Sequence, residues 1–130
     1  MQVNDQNYVD MAEKVIIRLK NKKDRKGRNI PMVTTSKLRN LLTMTADIHN
    51  EVMSQTEEKL EDHITSRIEY LRVRFLYEAG REDSVRDLVE EAEIIPFLKG
   101  INGNRENYLL FSKYMEALVA FHKYYGGREN

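Results

Sequence analysis

The stretch YLRVRFLYEAGR, residues 70–81, decides how the chain is read. At about 100° per residue on a helix, Leu71 and Phe75 fall on one side, and Tyr70, Val73 and Tyr77 on nearly the opposite one. Upstream, Leu60, Ile64 and Ile68 join the first group within about 80° of arc. The spacing predicts a helix from about Glu57 to Ala79, stopped by Gly80, the residue that enters the left-handed region at a helix end without penalty. A helix apolar on two opposed faces is expected to pack on both, which would make it the buried centre of a bundle. Arg67 and Arg74 occupy one gap between the faces, and Arg81 joins them if the helical phase runs on past Gly80. Glu69 and Arg72 occupy the other gap.

Working outward, apolar residues recur at three- and four-residue steps almost throughout, and no segment alternates as a strand does. Four further helices are predicted. The first runs from about Asp5 to Lys20, with Tyr8, Met11, Ala12, Val15, Ile16 and Leu19 on one side. The second starts in TTSKLR (Thr34 to Arg39), where Thr34 or Thr35 can accept an orphaned backbone N–H, and buries Leu38, Leu41, Leu42, Ile48 and Val52. The fourth spans about Asp83 to Glu93 and ends before Pro96. The fifth follows Asn104 and runs to the pair Gly126 and Gly127. The expectation is an all-α, compact single domain over 1–130: a bundle of about five helices with a central buried third helix.

The chain's 130 residues suffice for one core without staples, and it has no cysteine. That removes thiolate nucleophiles, Cys-ligated metals and disulfides from consideration. MQVNDQNYVD lacks the charged-then-apolar plan of a signal peptide, and no apolar run nears the roughly 20 residues of a membrane span. A cytoplasmic protein with no membrane contact is expected. The net charge is zero, but the charges are segregated. Arg18, Lys20, Lys22, Lys23, Arg25, Lys26, Arg28, Lys37 and Arg39 face only Asp24, whereas Glu51–Asp62 and Glu82–Glu93 are acidic blocks. Such a molecule can attract a polyanion on one surface and a basic neighbour on another.

No catalytic constellation is visible. His49, His63 and His122 lie far apart and in no ligand spacing; His49 and His122 fall on apolar helix sides, as core or interface histidines do. KGINGN and GGREN lack the ending of a phosphate loop. Adjacent pairs such as Glu57/Glu58 and Glu90/Glu91 diverge on a helix and cannot converge on one substrate atom. No enzyme activity, cofactor, metal or small-molecule substrate is expected.

A phosphate-binding surface is better supported. The loop 21–28 is basic, expected to be flexible, and adjoins the start of the second helix with Lys37 and Arg39. Arg67, Arg74 and Arg81 offer cations from a second segment. These groups either track a nucleic-acid backbone without reading bases or form salt bridges to the acidic blocks; both readings stand at this point. Tyr108, Phe111, Tyr114, Phe121 and Tyr125 lie on the broad apolar side of the last helix, which favours core packing over a base-stacking platform.

TTSKLR, YLRVRFLYEAGR and RENYLLFSKYMEALVAFHKYYGG, in that order, resemble the small subunit of type III-A CRISPR (Csm) interference complexes. The resemblance covers most of the chain and is weakest in 21–33 and 54–63. It implies a helical protein without catalysis of its own, several copies of which stack inside a filament of backbone subunits holding the guide RNA. Such subunits line the guide–target duplex and touch mainly ribose and phosphate. Target cleavage then belongs to the backbone subunit, and DNase and cyclic oligoadenylate synthesis to the large one. The implied partners are guide RNA, target RNA and other subunits, including further copies of this chain. Lys37, Arg39, Arg67, Arg74 and Arg81 are the expected RNA-facing residues, Arg67 on helical geometry alone, with Lys22, Lys23 and Lys26 secondary and Arg72 assigned to a neighbouring protein or to the surroundings of Glu69. The alternative is a helical adaptor whose contacts are with proteins only.

Overall fold

The computed structural model describes residues 2–127. Six helices follow in order: α1 (Tyr8–Lys20), α2 (Thr35–Ser54), α3 (Asp62–Arg81), α4 (Asp83–Glu91), α5 (Ile94–Lys99) and α6 (Arg105–Tyr124). Among the described residues there is no strand, only isolated bridges at Lys23–Asn29 and Lys59–Asn104. The fold is an all-α bundle.

The starts of the helices follow capping chemistry. Thr34 accepts the Lys37 N–H at 3.4 Å, and Asn104 accepts the Asn107 N–H at 2.9 Å, each satisfying a donor that the first turn leaves unpaired. α3 begins later than the expected Glu57. The Gln55 side chain donates to the Glu57 and Lys59 carbonyls and accepts the Glu61 N–H, holding 55–61 as a non-helical turn around it. Leu60 is buried as expected, but from this non-helical segment, with its N–H on Gly103 O at 2.8 Å.

At its far end α3 passes through Gly80 and stops at Arg81, because Glu82 turns extended rather than left-handed and leads directly into α4. The helical phase therefore does reach Arg81. The helix beyond the five expected is α5. Pro96 does not stop a helix there but occupies its first turn, where the missing N–H costs nothing. The left-handed Glu93 (φ 53°) separates α5 from α4.

The core inverts one expectation: α3 is not the buried centre. Its face of Ile64, Ile68, Leu71, Phe75 and Ala79 is buried, but Tyr70, Val73, Leu76 and Tyr77 are 51–63% exposed. α3 packs on α2, α4 and α5, all on one side. An apolar second face becomes buried only if another element covers it, and the remaining helices are committed elsewhere. The middle of the core belongs to α6, which lies against α1 and α2 and buries Tyr108, Phe111, Tyr114, Met115 and Leu118 completely. Burying two tyrosines requires partners for their hydroxyls. Tyr108 donates to Thr45 O at 2.7 Å and Tyr114 to Ala92 O at 3.1 Å.

His122 is a core histidine. Its Nε2 bonds Val33 O at 2.6 Å, tying the end of α6 to the segment entering α2. The closing glycines follow from this packing. Gly126 is left-handed (φ 84°), and a Cβ at Gly127 would come within 2.0 Å of the imidazole. His49 is half-buried on α2, and His63 is exposed beside Glu61 at 3.3 Å.

The basic loop is a structured turn, contrary to the expected flexibility. Asp24 accepts the backbone N–H groups of Lys26 (2.8 Å) and Arg28 (3.0 Å), and Gly27 supplies the positive φ of 77°. Backbone bonds from Asp24 N to Arg28 O and from Ile30 N to Lys22 O close a short hairpin. The Arg28 N–H chiefly, with that of Lys26, holds the Asp24 carboxyl below its ordinary range.

Candidate nucleic-acid interface

α2 and α3 run antiparallel. Lys37, near the start of α2, pairs with Glu82 just beyond α3, while Glu51, near the end of α2, meets Arg67 in the first half of α3. Between them the exposed edge of α3 repeats a seven-residue pattern, Arg67–Tyr70–Arg74–Tyr77–Arg81, about 21 Å long at 1.5 Å per residue. Cations and tyrosines therefore alternate along one edge, and Lys37 stands at its far end.

The partners differ along that edge. Arg67 Nη1 lies 2.7 Å from Glu51 Oε1. The guanidiniums of Arg74 and Arg81 lie 5.3 and 5.7 Å from the centre of the Tyr77 ring, and Arg81 Nη1 is 3.5 Å from Glu78 Oε1. The hydrogen bond with Tyr77, then the Glu78 charge, raise the Arg81 pKa further, so this cation stays protonated at any working pH. Every ion pair here has partly exposed members. Such surface pairs contribute about 0–1 kcal/mol, little enough for a phosphate to compete for the guanidinium.

The structure thus gathers Lys37, Arg67, Arg74 and Arg81 along the α2–α3 junction. Arg39 is not among them. It is exposed, about 200° around α2 from Lys37, and its side chain has no partner among the described residues. Arg72 pairs with Glu69 at 2.6 Å on the other flank of α3. In the hairpin, Lys22 reaches Asp87 of α4 at 2.9 Å, a hydrogen bond that raises its pKa, and Lys23 bonds Asn29. Lys26 has no side-chain partner among the described residues.

Both readings of the arginines are visible. Glu51, Glu82, Asp87 and Glu91, all from the acidic blocks, take up Arg67, Lys37, Lys22 and Arg18. Arg74 keeps no carboxylate within ion-pair distance among the described residues and rests on an aromatic face instead. The exposed tyrosines are the residues missed from the sequence. The signal was present in their three- and four-residue spacing from the arginines, but two-sided burial was assumed. Among the described residues no group of three or more His, Asp or Glu side chains is placed to hold a metal ion, and no helix is long and apolar enough to cross a membrane.

Residues 13–128 match the family model Csm2 Type III-A. The chain belongs to this family. It is 42% identical over 127 residues to the CRISPR system Cms protein Csm2 of Streptococcus thermophilus, covering 98% of both chains. Identity to the protein of the same name from Mycobacterium tuberculosis H37Rv is 40% over 124 residues, 95% of each chain. The Enterococcus italicus protein is 34% identical, with 90% of this chain and 88% of that one covered. The family membership makes this a type III-A CRISPR protein, and its α2–α3 edge aligns Lys37, Arg67, Arg74 and Arg81.

Proposed function

We propose that the chain is a non-catalytic, one-domain small subunit of a type III-A CRISPR ribonucleoprotein in the cytoplasm. It binds the backbone of guide and target RNA without sequence specificity and packs against neighbouring subunits, further copies of itself among them. The observation that carries this is the row Arg67, Arg74 and Arg81 on one exposed edge, extended by Lys37. Evenly spaced cations suit a repeating phosphate chain, and the edge offers no rigid set of donors and acceptors to distinguish base pairs. Lys22, Lys23 and Lys26 on the structured hairpin, and Arg39 on the outer side of α2, are secondary contacts to the same polyanion or its flanks.

Co-purification with a tagged guide-bound complex, followed by RNA cross-linking, tests this. Cross-links are expected at the α2–α3 edge. A chain that joins the complex but cross-links nowhere on that edge contradicts the assignment.

A protein-only adaptor is favoured by one observation, the exposed apolar Val73 and Leu76 beside the edge. Such an adaptor would join a complex lacking RNA and show no salt-sensitive retention of nucleic acid.

A further inference from the structure

The pattern Arg-x-x-Tyr-x-x-x-Arg occurs twice on α3, and the two copies are used differently. In the second, Arg74 and Arg81 both lie on the ring of Tyr77. In the first, Arg67 is drawn to Glu51 and Arg74 to Tyr77, which leaves the Tyr70 ring with no ring or cation contact among the described residues. Tyr70 is also the more exposed of the two, at 63%. It forms one wall of a shallow groove between α2 and α3, whose floor and far wall include Met44, Ile48 and Leu71. Arg67, Arg74 and Asp47 line the groove as well.

This groove has the chemistry of a base site. Its walls are apolar and aromatic, so a planar heterocycle can stack on Tyr70. The Asp47 carboxylate repels a phosphate from the groove but accepts an N–H from a base edge. The Arg67 and Arg74 guanidiniums beside it suit the phosphates on either side of that nucleotide. We infer that the α2–α3 groove receives one unpaired base of a single-stranded RNA segment, stacked on Tyr70, with Arg67 and Arg74 on the flanking phosphates. This deepens the RNA reading of the same edge and rests on it. It adds a requirement that backbone tracking lacks: the nucleotide at the groove must be unpaired. Tyr77, about 10 Å along the helix, is too distant to share the same stack, whose rise is 3.4 Å per base. Its ring is already occupied by the two arginines.

The test compares full-length wild type with Tyr70→Ala, Tyr70→Phe, the double variant Arg67→Ala/Arg74→Ala and the control Val73→Ala/Leu76→Ala. The probes are a short single-stranded RNA carrying 2-aminopurine and a blunt RNA duplex of equal length, each titrated at two salt concentrations. Tyr70 is exposed, so its variants are expected to fold, and circular dichroism checks this. Loss of one stacked base predicts that Tyr70→Ala weakens single-strand binding about fivefold or more, with the salt dependence unchanged. It also predicts that Tyr70→Phe restores binding, that the control matches wild type, and that duplex binding is insensitive to residue 70. Wild type should change the 2-aminopurine fluorescence and Tyr70→Ala should not. If Tyr70→Ala binds the single strand as wild type does while the double arginine variant does not, the base site is overturned and the phosphate edge stands. If the arginine variant also binds like wild type, both are overturned. If Tyr70→Ala binds RNA as wild type does but is lost from co-purification with the tagged guide-bound complex, the groove is a protein-docking surface and the base site is overturned.

Discussion

The Arg67 guanidinium meets the Glu51 carboxylate at 2.7 Å across the α2–α3 junction, so the first cation of the candidate RNA edge is held by an acid of the same chain. Both side chains are partly exposed, at 44% and 39%. Such an exposed pair adds little to the stability of the fold, and on the proposed RNA reading it is an internal competitor for the guanidinium.

Removing the competitor should strengthen binding. Glu51→Gln is expected to raise affinity for RNA severalfold at low salt and to leave thermal stability within about 0.5 kcal/mol of wild type. Fluorescence anisotropy and a melting curve check both halves. An affinity lowered by the substitution would mean that Glu51 positions Arg67 for its contact.

The two faces of α3 should respond differently to truncation. Phe75 is fully buried and packs edge-on against Phe111 with ring centres 6.2 Å apart, so Phe75→Ala should cost about 3–5 kcal/mol. Val73 is exposed, and Val73→Ala should stay within about 0.5 kcal/mol. Denaturant melts decide between this one-sided packing and burial on both sides.

Gly127→Ala should destabilise although it adds only a methyl group. The new Cβ would fall 2.0 Å from the His122 ring, which is itself fixed by its bond to Val33 O. Relieving that overlap should cost about 1–3 kcal/mol, a drop of several degrees in Tm. Gly126→Ala adds no such overlap, but at φ 84° it incurs backbone strain of about 1–2 kcal/mol.

Stability should fall in alkali. Burial holds the Tyr108 and Tyr114 phenols above the ordinary tyrosine range of about 10. The unfolded chain loses these protons first, so their contribution is complete below pH about 10 and is lost as pH rises toward the folded-state values. Melting curves above pH 10, followed alongside tyrosinate absorbance, should show two phenols ionising only as the chain unfolds. Tyr108→Phe should flatten that pH dependence.

Much of this was legible in the residues. Helical periodicity located α1, α2 and α6, and the arginine spacing located the edge, because both depend only on the 3.6-residue repeat. Periodicity says which residues share a face but not whether another element covers it. Periodicity therefore places Tyr70 and Tyr77 on a packed face, whereas no helix remains to cover them. The ends of α3 depend on contacts that periodicity does not encode: Gln55 holding 55–61 out of the helix, and Glu82 turning the chain in place of Gly80. The loop 21–28 looked flexible by charge, yet its order comes from one carboxylate, Asp24, bonded to two backbone donors. Likewise, Gly127 looked like a helix stop, whereas its small size is required by the His122 ring.

The most direct test of the RNA edge is retention of an unrelated RNA in gel electrophoresis at two salt concentrations, comparing wild type with Arg67→Ala/Arg74→Ala. Both arginines are at the surface, so the variant is expected to fold. If the edge binds phosphate, wild-type retention falls steeply with salt. The variant then binds more weakly at low salt, with the log–log salt slope reduced by about one unit per arginine. Equal affinity and equal slope in a folded variant would contradict the assignment of this edge to RNA.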